Sequence, residues 1–147
     1  MQDVVCNASP LIFLAKIDRL NLLDSYVLHI PFQVESEILK GLERRKEDAN
    51  QIIKYLRHKE LIPIKTTILK NLPDFLGDGE KAVISLAVKE KIEKVFIDEE
   101  KARTVARFRG LLPKGTLGIL WDSYKMGNMD KARLERYHLN CLKKDTE

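Results

Sequence analysis

The sequence predicts a single α/β domain with a central, mainly parallel sheet of four to five strands flanked by helices. Two patterns carry that expectation. Short apolar runs suited to strands recur at Val4 to Cys6, Val27 to Ile30, Leu61 to Ile64 and Val95 to Ile97, with helix-period segments between them. The first run ends abruptly at Asn7-Ala8-Ser9-Pro10, a polar break before the aliphatic segment that starts at Leu11.

That break reads as a strand-to-helix turn. Leu11, Leu14 and Ile17 recur at helical spacing, Ser9 is a good N-cap, and Pro10 suits a first helical turn, where its missing N–H is not needed. Asn7 is then left at the carboxyl end of the first strand, the edge at which open α/β sheets bind ligands. The second strand runs into Pro31 and a helix through Val34, Ile38 and Leu42; the next helix carries Ile52, Ile53 and Leu56. Gly77-Asp78-Gly79 is a turn with a cap, followed by Ala82, Val83, Leu86 and Ala87 at helical period. After the fourth strand, Ala102, Val105 and Ala106 mark another helix. Leu111 and Leu112 suit a short fifth strand, and Pro113-Lys114-Gly115 turns into a helix capped by Thr116. A last helix opens at Asp130, with Met129 and Leu134 spaced as a hydrophobic staple. No repeat, low-complexity run or linker divides residues 1–147.

Composition excludes several classes. With 44% hydrophobic and 33% charged residues, the 147-residue chain has the balance of a soluble globular protein able to bury a substantial core. Its longest apolar stretch, LIFLA, falls far short of the ~20 residues that span a bilayer, and no basic segment precedes it, so neither a membrane anchor nor a secretory signal is expected. Cys6 and Cys141 both sit in apolar patterns and read as buried thiols of a reducing cytoplasm, without the spacing of a zinc site. The net charge of +4 favours approach to a polyanion. Basic residues gather at Arg44, Arg45 and Lys46, at Lys101, Arg103, Arg107 and Arg109, and at Lys143 and Lys144, although such runs are often only solvated helix faces.

Acidic and amide groups fall where one sheet edge would collect them. Asn7 follows the first strand, Glu35 and Glu37 the second, Asp78 and Glu80 open a helix, and Asp98, Glu99 and Glu100 follow the fourth strand. Glu80 has Val83, Ile84 and Ala87 three, four and seven residues on, so it shares the apolar face of its own helix and needs a partner. Simpler roles compete: water binding at a helix start for Glu80, N-capping for Asp98, a turn bond to its own backbone for Asn7. The helical wheel does not choose between Glu35 and Glu37. Oxygens gathered without a basic centre suit a hard divalent cation such as Mg²⁺ or Mn²⁺. No nucleophile elbow, phosphate loop or dinucleotide fingerprint is present, and His29, His58 and His138 are widely separated.

Five stretches together resemble the PIN-domain family, in particular its VapC-like branch with an Asn/Asp-x-Ser-Pro-Leu opening. They are NASPL (Asn7 to Leu11), IPFQVESEI (Ile30 to Ile38), LGDGEKAVISLA (Leu76 to Ala87), FIDEEKARTVARFRGL (Phe96 to Leu111) and GTLGIL (Gly115 to Leu120). The resemblance implies a three-layer PIN-like fold and a Mg²⁺- or Mn²⁺-dependent nuclease, most often acting on RNA. Asn7 then takes the first acidic position of the motif, Glu37 the second, Glu80 and Asp98 the third and fourth, with Glu99 as a neighbour of the metal or its waters. The motif's second acid lies three residues beyond a valine, which selects Glu37 over Glu35. Ser9 and Thr116 resemble helix-start hydroxyls that orient ligands or a phosphate, and Arg103 a partner of the acidic cluster; Arg103 and Arg107, four apart on one helix beside that site, are expected to contact RNA. The sequence departs from the pattern at Asn7, where many relatives carry aspartate; an amide oxygen can ligate a metal but brings no charge. The resemblance further implies a toxin-type ribonuclease with a small antitoxin partner and homodimerisation, and the cysteine usage a cytoplasmic location. Two other readings are weighed against it: a catalytically weakened PIN-like regulatory or nucleic-acid-binding module, and a receiver-like or small-molecule-binding α/β domain. The latter is disfavoured because the first strand lacks a terminal acidic pair.

Overall fold

A computed structural model describes residues 1–44 and 47–137. β1 (Gln2–Cys6) is paired on both sides, with β2 (Tyr26–His29) and with β3 (Lys94–Phe96), and β4 (Leu112–Lys114) adds to β3. All pairings are parallel and the order is β2-β1-β3-β4. A parallel sheet must be covered on both faces, because the connections between its strands pass over them. The consecutive residues Val4, Val5 and Cys6 are accordingly all buried, which explains their unbroken apolar run.

The connections supply the cover. α1 (Ala8–Lys16) and a 3₁₀ turn (Leu20–Ser25) lead from β1 to β2, and α2 (Phe32–Glu43), α3 (Glu47–His58) and α4 (Asp78–Glu90) lie between β2 and β3. α5 (Glu100–Phe108) joins β3 to β4, and α6 (Thr116–Lys125) follows β4. α4 packs on β1 and β3, while α1 packs on α3 and α6. The predicted spacings hold: Leu11 and Leu14, Val34 and Ile38, Ile52, Ile53 and Leu56, and Ala102 and Ala106 are all buried. Tyr26 meets Phe96 edge to face at 5.1 Å across the sheet. Residues 131–137 are helical again; Asp130 caps them by accepting from Arg133 N at 2.7 Å, and Met129 and Leu134 pack into the core.

Three expectations need correction. Leu61 to Ile64 is not a strand; only Ile64 bridges Pro31, through Phe32 N to Ile64 O and Ile64 N to Ile30 O, both 2.8 Å. Pro63 has no N–H for a ladder and Ile62 is 81% exposed, so this run lacks both the hydrogen bonds and the cover of an interior strand. Ser9 is not the N-cap of α1: Asn7 occupies that place, and Ser9 and Pro10 lie inside the helix. Gly115, rather than Thr116, is the N-cap of α6, with Thr116 as its first residue. Arg45, Lys46, His138, Cys141, Lys143 and Lys144 lie outside the described residues.

The topology fixes the site. From β1 the chain goes first to β2 on one side and later to β3 on the other, so the connections diverge at the β1/β3 boundary. Such a switch point opens a crevice at the carboxyl ends of the strands. Asn7 follows β1 there, and Asp98 lies just past the end of β3.

Candidate active site

Asn7 lies at the carboxyl end of β1, beside this switch point. It is 6% exposed, and its extended backbone places it as N-cap of α1, yet its side chain forms no cap bond. Among the described residues its Oδ1 is buried without a hydrogen-bond partner. A buried carbonyl oxygen left unpaired costs about 1–3 kcal/mol, so the turn role that Asn often fills does not account for it. The Asn7 backbone N donates to Phe96 O at 3.0 Å, tying the ends of β1 and β3 together.

Glu37 and α4 form one wall. Gly79 N donates to Glu37 Oε1 at 3.1 Å. A Cβ on residue 79 would stand 2.5 Å from Glu37 Oε1 and 3.1 Å from Asn7 Oδ1, so only glycine admits both oxygens to this spot. The turn reading of Gly77-Asp78-Gly79 gives no reason for the second glycine; this approach does. Burial raises the Glu37 carboxyl above its ordinary range, and the charges of Glu80 and Asp78 push the same way, against the Gly79 N–H and Lys40. Glu80 finds the partner its place required: Oε1 accepts from Gly77 N at 2.9 Å, reaching back over the first turn of α4.

Asp98 forms the opposite wall, and it does not cap α5. Glu99 does so, accepting from Lys101 N at 3.3 Å. Asp98 instead holds the start of α6: Oδ1 accepts from Thr116 N at 2.6 Å, and the Thr116 hydroxyl lies 2.8 Å from both carboxylate oxygens. Gly115 permits this, since a Cβ there would come within 3.2 Å of Asp98 Oδ1 and 3.0 Å of Arg103 Nη1. Arg103 is brought to the site but binds backbone rather than the acidic side chains. Its Nη1 donates to Ile97 O at 3.3 Å and to Asp98 O, which fixes the loop carrying Asp98. Asp98 also lies near enough to the end of β1 that its charge adds to burial in raising the Cys6 thiol.

A cleft of about 580 Å³ opens from this wall, lined by Ser9, Asp98, Glu99, Arg103, Arg107 and Thr116 among others. Leu117 and Gly118 of the GTLGIL stretch also line it, as does Phe13, which nothing in the sequence singled out. The structure therefore groups the predicted residues in two sets, Asn7 and Glu37 about Gly79 with Glu80 at Gly77 in the same turn, and Asp98, Glu99, Arg103, Arg107, Ser9 and Thr116 about the cleft. Among the described residues, no three His, Cys, Asp or Glu side chains form a ready-made metal-holding group. Each anchored carboxylate instead has an N–H donor of its own. The residues nevertheless fit a hard cation, because an unpartnered buried amide oxygen and a carboxylate oxygen border one small space.

No curated protein and no solved structure matches the chain. A family model described as PIN domain matches residues 3–139, nearly the whole length over which this all-parallel sheet and its crevice are built, and the chain belongs to the PIN-domain family.

Proposed function

We propose that this PIN domain is a Mg²⁺- or Mn²⁺-dependent ribonuclease. PIN domains are generally nucleases, and such nucleases generally use divalent metals. The observation that carries the reading is Asn7 Oδ1, buried without a donor beside the oxygen of Glu37 that Gly79 positions. Asn7, Glu37, Glu80 and Asp98 would hold the cation, with Glu99 at its waters. When bound, the ion offsets negative charge on a phosphodiester and lowers the pKa of a water. The chain's own part is positioning. Gly79 N aims Glu37, Gly77 N aims Glu80, and Thr116 with the Arg103-braced loop aims Asp98. The exposed Arg107 on the cleft wall suits the phosphate backbone of the substrate, with Ser9 and Thr116 at helix starts nearby.

The test is cleavage of single-stranded RNA by purified protein. Activity that needs Mg²⁺ or Mn²⁺ and disappears in an E80Q/D98N variant with unchanged circular dichroism supports the reading. A second reading has its own observation: Asn7 is neutral and the acids are dispersed, as in a module that binds nucleic acid without cutting it. Metal-independent RNA binding without cleavage would favour it. The likeness to VapC-like sequences further supports a cytoplasmic, homodimeric toxin neutralised by a small antitoxin. Growth arrest on expression, relieved by a short DNA-binding protein encoded next to it, would test that role. Among the described residues no helix is long and apolar enough to cross a membrane.

A further inference from the structure

We infer that Phe75 and Lys101 form a stacking platform for a nucleobase of single-stranded RNA, between the turn that leads to Glu80 and the start of α5. The inference rests on the nuclease reading and adds a base-stacking contact to it. Phe75 is 60% exposed, although its neighbours along the segment, Leu72 and Leu76, are buried at 8% and 4%. Those two leucines anchor the segment, and a turn closed by Leu76 N to Pro73 O at 3.2 Å presents the ring outward. At its other end, Asn71 O accepts from Arg109 Nη2 at 3.4 Å, so the segment lies along α5. The ring is thus held on a fastened turn, which reduces the ordering cost of a ligand that stacks on it.

Its position relates it to the chemistry. Phe75 lies two residues before Gly77, whose N–H aims Glu80, and the Lys101 ammonium lies 6.0 Å from the ring centroid. Lys101 in turn donates its backbone N–H to Glu99, next to Asp98. One aromatic face and one cation therefore connect the Glu80 wall to the Asp98 wall. A phenyl face accepts any base by stacking, and an adjacent ammonium accepts the phosphate attached to that base. The pair sits where the turn leading into Glu80 meets the first turn of α5. A protein partner would want a wider apolar surface than one ring beside a lysine.

The experiment measures binding of a short fluorescent single-stranded RNA, in chelator so that no cleavage occurs, to wild type, F75A, F75W and K101A. A matched RNA with abasic positions is the control. F75A is expected to bind the intact RNA about tenfold more weakly, F75W to bind it as well as wild type, and the abasic RNA to bind wild type and F75A equally. K101A should lower the slope of log affinity against log salt by about one. Equal binding of intact RNA by wild type and F75A, or an equal loss for intact and abasic RNA, overturns the platform. Metal-dependent cleavage by wild type, assayed separately, tells whether the nuclease reading then survives; if wild type neither binds nor cuts RNA, both fall.

Discussion

Replacing Asn7 by aspartate separates a metal ligand from a turn residue. A Cβ at residue 79 would stand 3.1 Å from Asn7 Oδ1 and 2.5 Å from Glu37 Oε1, so those oxygens lie within about 5.6 Å of each other, the sum of the two distances. Two full charges at that separation repel by about 3 kcal/mol at an effective dielectric near 20. Proton uptake by Glu37, whose carboxyl is already raised, relieves part of this, leaving a metal-free cost of about 2 kcal/mol. For a chain of this size that is a fall in Tm of about 6 °C. A cation reverses the sign. The new carboxylate attracts it where the amide offers only a dipole, and after repulsion and desolvation the net gain is about 1 kcal/mol, or about fivefold in affinity. Calorimetric Mn²⁺ titration and melting in chelator read the two halves, and RNA cleavage at limiting metal should rise with the first. Equal metal affinity together with equal melting would refute the reasoning and return Asn7 to the turn.

Two further changes probe the same wall. Because the native Glu37 carboxyl is raised, the folded protein keeps that proton at pH values where the unfolded chain has lost it. Its stabilising contribution is therefore complete below the ordinary glutamate value of 4.5 and is lost as pH rises through the raised native value. E37Q should remove this dependence, so that in chelator it melts above wild type at neutral pH and the difference narrows toward pH 4.5; parallel melting profiles would contradict it. In G79A the new methyl takes the space beside Glu37 Oε1 and Asn7 Oδ1, while alanine suits the helix better than glycine. Melting in chelator should change by less than about 1 kcal/mol equivalent, but Mn²⁺ affinity should fall by on the order of tenfold in calorimetry.

How much of this could be read from the sequence depended on whether the cause was local. Val4, Val5 and Cys6 are buried on both faces of a parallel strand, and such a run looks the same in the sequence as in the fold. Asn7, Glu80 and Asp98 were legible as polar residues at strand ends and helix starts. Glu37 was not distinguishable from Glu35 by the wheel alone, since what selects it is a backbone N–H of Gly79, 42 residues away in the chain. The same distance effect hid the partner of Asp98. Capping of the next helix is the local expectation, but Glu99 caps it, and Asp98 serves the start of α6 across the sheet edge. Leu61 to Ile64 has strand composition, but Pro63 interrupts its donors and no second strand covers Ile62. Arg103 carries the right charge, and its actual partners are carbonyls that no charge pattern could name.

The donors that hold these carboxylates share an origin. Gly77 and Gly79 lie at the start of α4 and Thr116 at the start of α6, where backbone N–H groups have no carbonyl partner within their own helix. Those free N–H groups also carry the positive end of the helix dipole. Two helix starts thus hold Glu37 and Glu80 in one set and Asp98 in the other before any cation arrives. Asn7 stands at a third helix start, that of α1, yet its side chain does not cap. An asparagine whose oxygen turned back to the α1 N–H groups would satisfy itself and leave the crevice without an inward-facing ligand. Because its oxygen remains unpartnered beside Glu37, the local capping rule is broken at the one position where a ligand could restore the missing interaction. Such a breach, in contrast to α5, whose N-cap side chain does cap, is where function is expected to have displaced stability.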